Sequence, residues 1–390
     1  MSIEVLINGA GIAIERAVFT ALLENSVSST YAAYEKALTK EVIAFADLVK
    51  LARRGEIPYA LFFAPLPLVQ AQITSKNRKL LAGLTKATFS VNSRDVVNLR
   101  DVELIVKDLL RKQELLKKHD PTLTKNPIIG VLSKPGKSVK ADADRLMRAL
   151  DISRDALWSV ASKEAALAYL VSRLEAKQIL ISQSASTVMP QRLKVKFSGL
   201  TVKDSKVPYI FLAGGDPGDG QEPEGRRVFT LTLLAVLVAR KIFAPVTYNG
   251  SSMGRDVTRE YDIVGEMLMP AADLRGQSLA SLDDVKAVAD EFKVTPSAVT
   301  VRALRVNIIS GDLAKAFLDE LAQEYARRTK PPMRSPLVVN AIRKYNGRTF
   351  SARMLGALDS GKLSPRDFCR SVCLNRIKPA QIDEFRAALR

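Results

Sequence analysis

Gly130 to Ser138, GVLSKPGKS, joins glycines to a lysine and a serine, the residue types of a loop that cradles phosphate with backbone N–H groups. Such a loop needs four residues between its first glycine and the Gly-Lys pair. Here five intervene, and Pro135 removes one of the donors. LINGAGIAIE near the start has Gly9 and Gly11, but Ile14 stands where the third glycine of a dinucleotide fingerprint belongs. Neither stretch supports nucleotide chemistry. GDPGDGQEPE gathers Asp216, Asp219, Glu222 and Glu224 without the spacing of a calcium loop, and reads as a solvated surface loop. Cys369 and Cys373 lie four apart on one face of an expected helix. Two thiolates fall short of a structural zinc site, so burial in helix packing is expected.

The segment 283–309, DDVKAVADEFKVTPSAVTVRALRVNII, has the pattern of two short helices around a tight turn. Val285, Val288, Ala289 and Phe292 form one apolar face, and Lys293-Val294 make the turn. Thr295 is a good N-cap, and Pro296 suits the first helical position. Val299, Ala303 and Val306 point inward, which leaves Ser297, Thr300, Arg302 and Arg305 facing outward. Two readings stay open: a helix-turn-helix that touches DNA, or a helical hairpin in the core.

These segments sit in a frame of recognisable elements. Residues 1–74 read as a helical module, with Val42 to Arg53 apolar at helical spacing and stopped by Arg54-Gly55. Residues 75–126 are a basic segment with a helix from Val102 to Lys118, and Pro121 and Pro127 mark a boundary. From 127 to 280 the pattern is α+β: strand IIGVL, helices Ala141–Leu150 and Lys163–Ala176, then strands in QILIS, LKVKFSGLTV and VPYIFLA. The apolar stretch Val228 to Ala239 is twelve residues long, too short for a bilayer and suited to a buried helix. Residues 281–390 read as helical.

Charge narrows the class. Lysine and arginine exceed aspartate and glutamate by 18 over 390 residues. From Tyr325 to Arg390 there are 15 basic and 4 acidic residues, a net of +11. A focused excess of this kind attracts polyanions, nucleic acid above all. Two cysteines, and an N-terminus without a basic region before an apolar run, fit a cytoplasmic protein with no membrane partner.

Several stretches, in their order and spacing, resemble the ImmA/IrrE family in its version with an N-terminal helix-turn-helix of the XRE type. ADLVKLARRGEIPYALFFAPLP is similar to the end of that family's N-terminal module, and VKFSGLTVKDSKVPYIFL to the strands before its peptidase helix. GRRVFTLTLLAVLVAR, Gly225 to Arg240, stands where the family has RRFTLAHELGH. EMLMPAADL, the 283–309 hairpin and NGRTFSARMLGALDSGKLSPRDF also match. The resemblance implies a degenerate helix-turn-helix-like module at 1–74, a zincin-like α+β domain at 127–280, and a helical C-terminal domain carrying the hairpin at 281–390. The catalytic residues do not carry over. Leu233 and Leu237 occupy the two histidine positions, Leu234 the general-base position, and Arg259 the neighbourhood of the third ligand. An HExxH site needs two imidazoles one helical turn apart and a carboxylate. This chain has one histidine in all, His119. The expectation is a pseudo-metallopeptidase without metal or other cofactor.

Two functions follow as expectations. The first is a DNA-binding transcription regulator whose phosphate contacts come from Arg343, Lys344, Arg348, Arg353, Arg366 and Arg376. The second is a phage-related inhibitor or antitoxin that grips a repressor or toxin in the former cleft. A third and weaker reading is a divergent hydrolase built on Asp256, Glu260 and Glu266.

Overall fold

An Asn-Gly pair sets the first element of the chain. Asn8 and Gly9 both take positive φ, 49° and 87°, as the tight turn of a two-residue hairpin requires. They join β1 (Ser2–Ile7) to β2 (Ala10–Glu15) in antiparallel register, with Ile3 opposite Ile14 and Val5 opposite Ile12. Residues 2–15 therefore form a β-hairpin, which corrects the expectation of a helical module at 1–74. Period-two alternation decides it: Ile3 and Val5 are buried while Glu4 and Leu6 between and beside them are exposed.

A computed structural model describes residues 2–82, 99–185, 187–191, 193, 198–214, 222–246, 259–327 and 336–389. The chain divides into two compact units. The first comprises residues 1–83, 97–110 and 190–195. Its described elements are β1, β2, α1 (Arg16–Glu24), α2 (Ala32–Lys40), β3 (Val42–Ala44), α3 (Phe45–Arg54), α4 (Leu66–Leu81) and the first half of α5 (Leu99–His119). β3 pairs parallel with β1, giving the order β2-β1-β3. The helix expected from Val42 thus begins three residues later. Phe19 stacks on Tyr34 and packs against Phe62 over this sheet. On α5, the buried Glu103 is held by Lys76 at 3.1 Å and Lys107 at 2.9 Å.

The second unit takes residues 111–189 and 196–390 together with 84–96. The segment 75–126, expected as a linker, is shared between the two units, because α5 is one continuous helix. Its later half brings the buried Lys112 over the ring of Tyr345 at 3.8 Å, an ammonium–aromatic contact that satisfies a charge in the interior. Next come α6 (Val139–Ala149), α7 (Arg154–Trp158), α8 (Lys163–Ala176), β4 (Leu180–Gln183), β5 (Gly199–Val202), β6 (Tyr209–Leu212), α9 (Glu224–Ala239) and β7 (Pro245–Val246). After these follow α10 (Arg259–Leu268), α11 (Ala271–Arg275), α12 (Leu282–Glu291), α13 (Pro296–Arg305), α14 (Gly311–Arg327), α15 (Val338–Asn346), α16 (Arg348–Asp359), α17 (Pro365–Ser371) and α18 (Ile382–Ala388).

The sheet order is β4-β6-β5-β7, with β4 and β6 parallel and the other pairs antiparallel. β5 and β6 are buried along their whole length, so their apolar runs carry no alternation. The architecture is mixed α+β, as composition and pattern predict. IIGVL, expected as a strand, forms turns from 128 to 132. Gly130 there has φ 83°, and the segment packs Ile128 and Leu132 into the core without a sheet partner. The boundary expected at 281 also disappears, because Val285, Phe292 and Val299 share one core with Leu234 and Leu237 of α9. Among the described residues, no helix is long and apolar enough to cross a membrane.

Candidate nucleic-acid interface

From Val228 to Ala239, α9 carries only apolar and hydroxyl side chains, and all but Phe229 are buried. Leu233 is 2% exposed, and Leu234 and Leu237 are fully buried. The helix lies on β5 and β6 between α8 and α10. Gly199 of β5 makes the closest approach possible: a Cβ on it would stand 2.7 Å from Leu234 Cδ1. Three aliphatic side chains in a dry core neither ligate a metal nor move a proton. Arg259, at the expected third-ligand position, is tied to the buried Asp142 by Nε at 2.9 Å and a second nitrogen at 2.7 Å. The same carboxylate accepts from Gly136 N–H at 2.7 Å. Asp142 and Arg259 thereby fasten the 130–138 loop to α10.

Two of the three carboxylates considered for a hydrolytic site are paired with arginines. Glu260 pairs with Arg240 at 3.2 Å, and Glu266 pairs with Arg302. Asp256 lies outside the described residues.

The α12–α13 hairpin forms, and Thr295 caps its second helix as expected. Ser281 and Asp284 make a capping box, Lys293 turns the chain at φ 60°, and Thr295 accepts from Ala298 N–H ahead of Pro296. Its second helix does not present the expected outward face. Thr300 is fully buried, and its hydroxyl donates to Pro296 carbonyl at 3.0 Å. Arg302 is 7% exposed and donates to Glu266 and to Met269 carbonyl, the latter at 3.2 Å. Arg305 pairs with Asp262, and Ser297 is half-buried. The physical reason lies on α10. Asp262 and Glu266 stand one turn apart and draw both guanidiniums inward, while Gly265 leaves room for Arg302 to lie flat, with Cδ 3.0 Å from where a Cβ would stand.

The C-terminal cations divide in two. Arg353 is paired with Asp120 and half-buried. Arg343, Lys344, Arg348, Arg366 and Arg376 are exposed. Arg343 donates to Ala388 carbonyl at 2.6 Å. Arg366 and Arg376 have no ion-pair partner among the described residues, and neither have Lys362 and Lys378, which sequence reading passed over. All four fall within 362–378, a run with five basic residues and one acidic residue, Asp367, already paired with Arg370. The missed signal was that local imbalance. Cys369 and Cys373 beneath this run are buried as expected, and burial pushes the Cys373 thiol up to about 12, which keeps it protonated and unreactive.

At the amino end of α9 a buried guanidinium, Arg227, is gripped by both oxygens of Glu224 at 2.7 and 2.8 Å and donates to Gln183. Glu222 beside it is less solvated than its loop composition implied. Desolvation raises its carboxyl from 4.5 to about 6, against the opposing pull of Arg226 and Arg227. A carboxyl with a raised folded-state pKa favours the fold while protonated. That contribution is complete below about pH 4.5 and is lost as pH rises through 6. Glu222→Gln is therefore expected to match the wild-type melting temperature at pH 4 and to exceed it at pH 7.5. The gain should be at most about 2 kcal/mol. Equal melting at both pH values would show that Glu222 is solvated. No family model, curated protein or solved structure matches the chain.

Proposed function

We propose that this protein is a non-catalytic, nucleic-acid-binding regulator. Its α+β core serves as the scaffold that the likeness to zincin-like ImmA/IrrE proteins implies, and the exposed cations of its C-terminal helices grip phosphate. The observation that carries the reading is the run 362–378, where Lys362, Arg366, Arg376 and Lys378 stand free of carboxylate partners among the described residues. Cations already neutralised inside a protein release no counterion on binding; these four would. The reading places DNA contact on phosphates and takes the α12–α13 hairpin as core, because Arg302 and Arg305 are held by α10.

A mobility-shift assay at low salt with duplexes of arbitrary sequence tests this. The wild type should retard every duplex, and Arg366→Glu/Arg376→Glu should weaken binding to all of them alike. Unchanged affinity in that variant would remove the proposal. A second reading, contact with a repressor or toxin, is favoured by one observation: Leu6, Ile12, Tyr59, Phe63 and Leu68 of the first unit are exposed. Binding through such a surface would be nearly indifferent to salt.

A further inference from the structure

Three lysines far apart in sequence meet in one cleft of about 370 Å³ in the second unit. Lys125 comes from the segment after α5, Lys203 from the turn between β5 and β6, and Lys241 from the end of α9. Asn126, Ile129, Asp204, Ser205 and Phe243 complete the lining.

The cleft is a constructed feature. Asn126 spends its side chain on structure: it donates to Lys177 carbonyl at 2.7 Å and accepts from Ile128 N–H at 2.9 Å. Its own N–H donates to Ser205 carbonyl at 2.9 Å, which fixes one wall to the other. Lys241 sits at φ 61°, with its stem across Gly130. A Cβ at Gly130 would stand 2.3 Å from Lys241 Cε, so a side chain there would require the lysine to move. The one acid present is already used. Asp204 pairs with Lys117 at 2.8 Å and accepts from Lys206 and Val207 N–H groups. Lys125, Lys203 and Lys241 are left exposed, with no carboxylate partner among the described residues.

We propose that this cleft binds a small phosphomonoester with an apolar ring as its body. Three ammonium groups suit a dianionic phosphate, which accepts from point-charge donors in any orientation. Ile129, half-buried, and the small exposed part of Phe243 offer the apolar wall for the rest of the molecule. The volume falls in the lower part of the range of small-molecule sites, roughly 300–1,000 Å³, too small for a duplex or a folded partner. The cleft shares no lining residue with the 362–378 run, and its proposal is independent of the nucleic-acid proposal.

Calorimetric titration of the full chain with adenosine 5′-monophosphate tests it. A saturable one-to-one isotherm is expected, with no binding of neutral adenosine and weaker binding of inorganic phosphate. Lys203→Gln and Lys241→Gln should each weaken binding about tenfold, while Arg366→Glu/Arg376→Glu should leave it unchanged. Lys125→Gln is a third, independent variant, and ligand-free melting equal to wild type certifies the fold of each. Absence of saturable binding at millimolar nucleotide overturns the proposal. So does wild-type affinity in all three lysine variants, which would place the phosphate elsewhere.

Discussion

Leu234→Glu is expected to unfold the second unit or bring it close to unfolding. The side chain is fully buried, lies against Gly199 of β5, and belongs to the core shared by α8, α9, α10 and the α12–α13 hairpin. The substitution removes about 2–5 kcal/mol of apolar packing and adds an unpaired carboxyl in the same dry space, worth several kcal/mol more. A domain has about 5–15 kcal/mol of stability in total. Leu234→Met keeps volume and polarity, and should lose less than about 1.5 kcal/mol. The readout is available without labels, because the single tryptophan, Trp158, packs on Phe292 within this core. Its emission reports the second unit alone. A Leu234→Glu chain with a wild-type denaturation midpoint would mean that α9 is solvated. It would also mean that Leu233, Leu234 and Leu237 are not core residues.

Arg302→Ala should be nearly as damaging, and through a different mechanism. It leaves Glu266, 7% exposed, without the guanidinium that pairs with it. Breaking a buried pair by deleting one partner costs about 3–5 kcal/mol, whereas replacing both partners with apolar residues of like volume can be neutral. Arg302→Met combined with Glu266→Met should therefore recover most of the loss of Arg302→Ala. The comparison also separates two roles for Arg302. An arginine that reads bases would, when replaced, leave stability intact and change sequence preference. Wild-type stability in Arg302→Ala, together with altered preference among duplexes, would return α13 to the role of a reading helix.

The sequence carried the mixed α+β class, most helix positions and the Thr295 cap, because these depend on neighbours. Thr295 and Pro296 act where local chemistry puts them, and α8 spans Lys163–Ala176, as its pattern predicts. The hairpin at Asn8-Gly9 was equally legible, between alternating Ile3, Val5 and Ile14. The glycines there drew the reading toward a nucleotide motif and away from the turn they make. What sequence could not carry was partnership. Arg302 has the spacing of an outward residue, and only α10, some 36 positions earlier, turns it inward. IIGVL has strand composition, but among the described residues no strand pairs with it. Lys125, Lys203 and Lys241 span more than a hundred positions, and tertiary structure alone gathers them.

The central claim is that exposed C-terminal cations bind phosphate. The slope of log affinity against log salt for a duplex of arbitrary sequence tests it most directly. Each phosphate contact contributes about −0.9. If Lys362, Arg366, Arg376 and Lys378 all engage, the slope should approach about −3.6, and Arg366→Glu/Arg376→Glu should bring it to about −1.8 or flatter. A slope near zero, or one that the double reversal leaves unchanged, would contradict the claim.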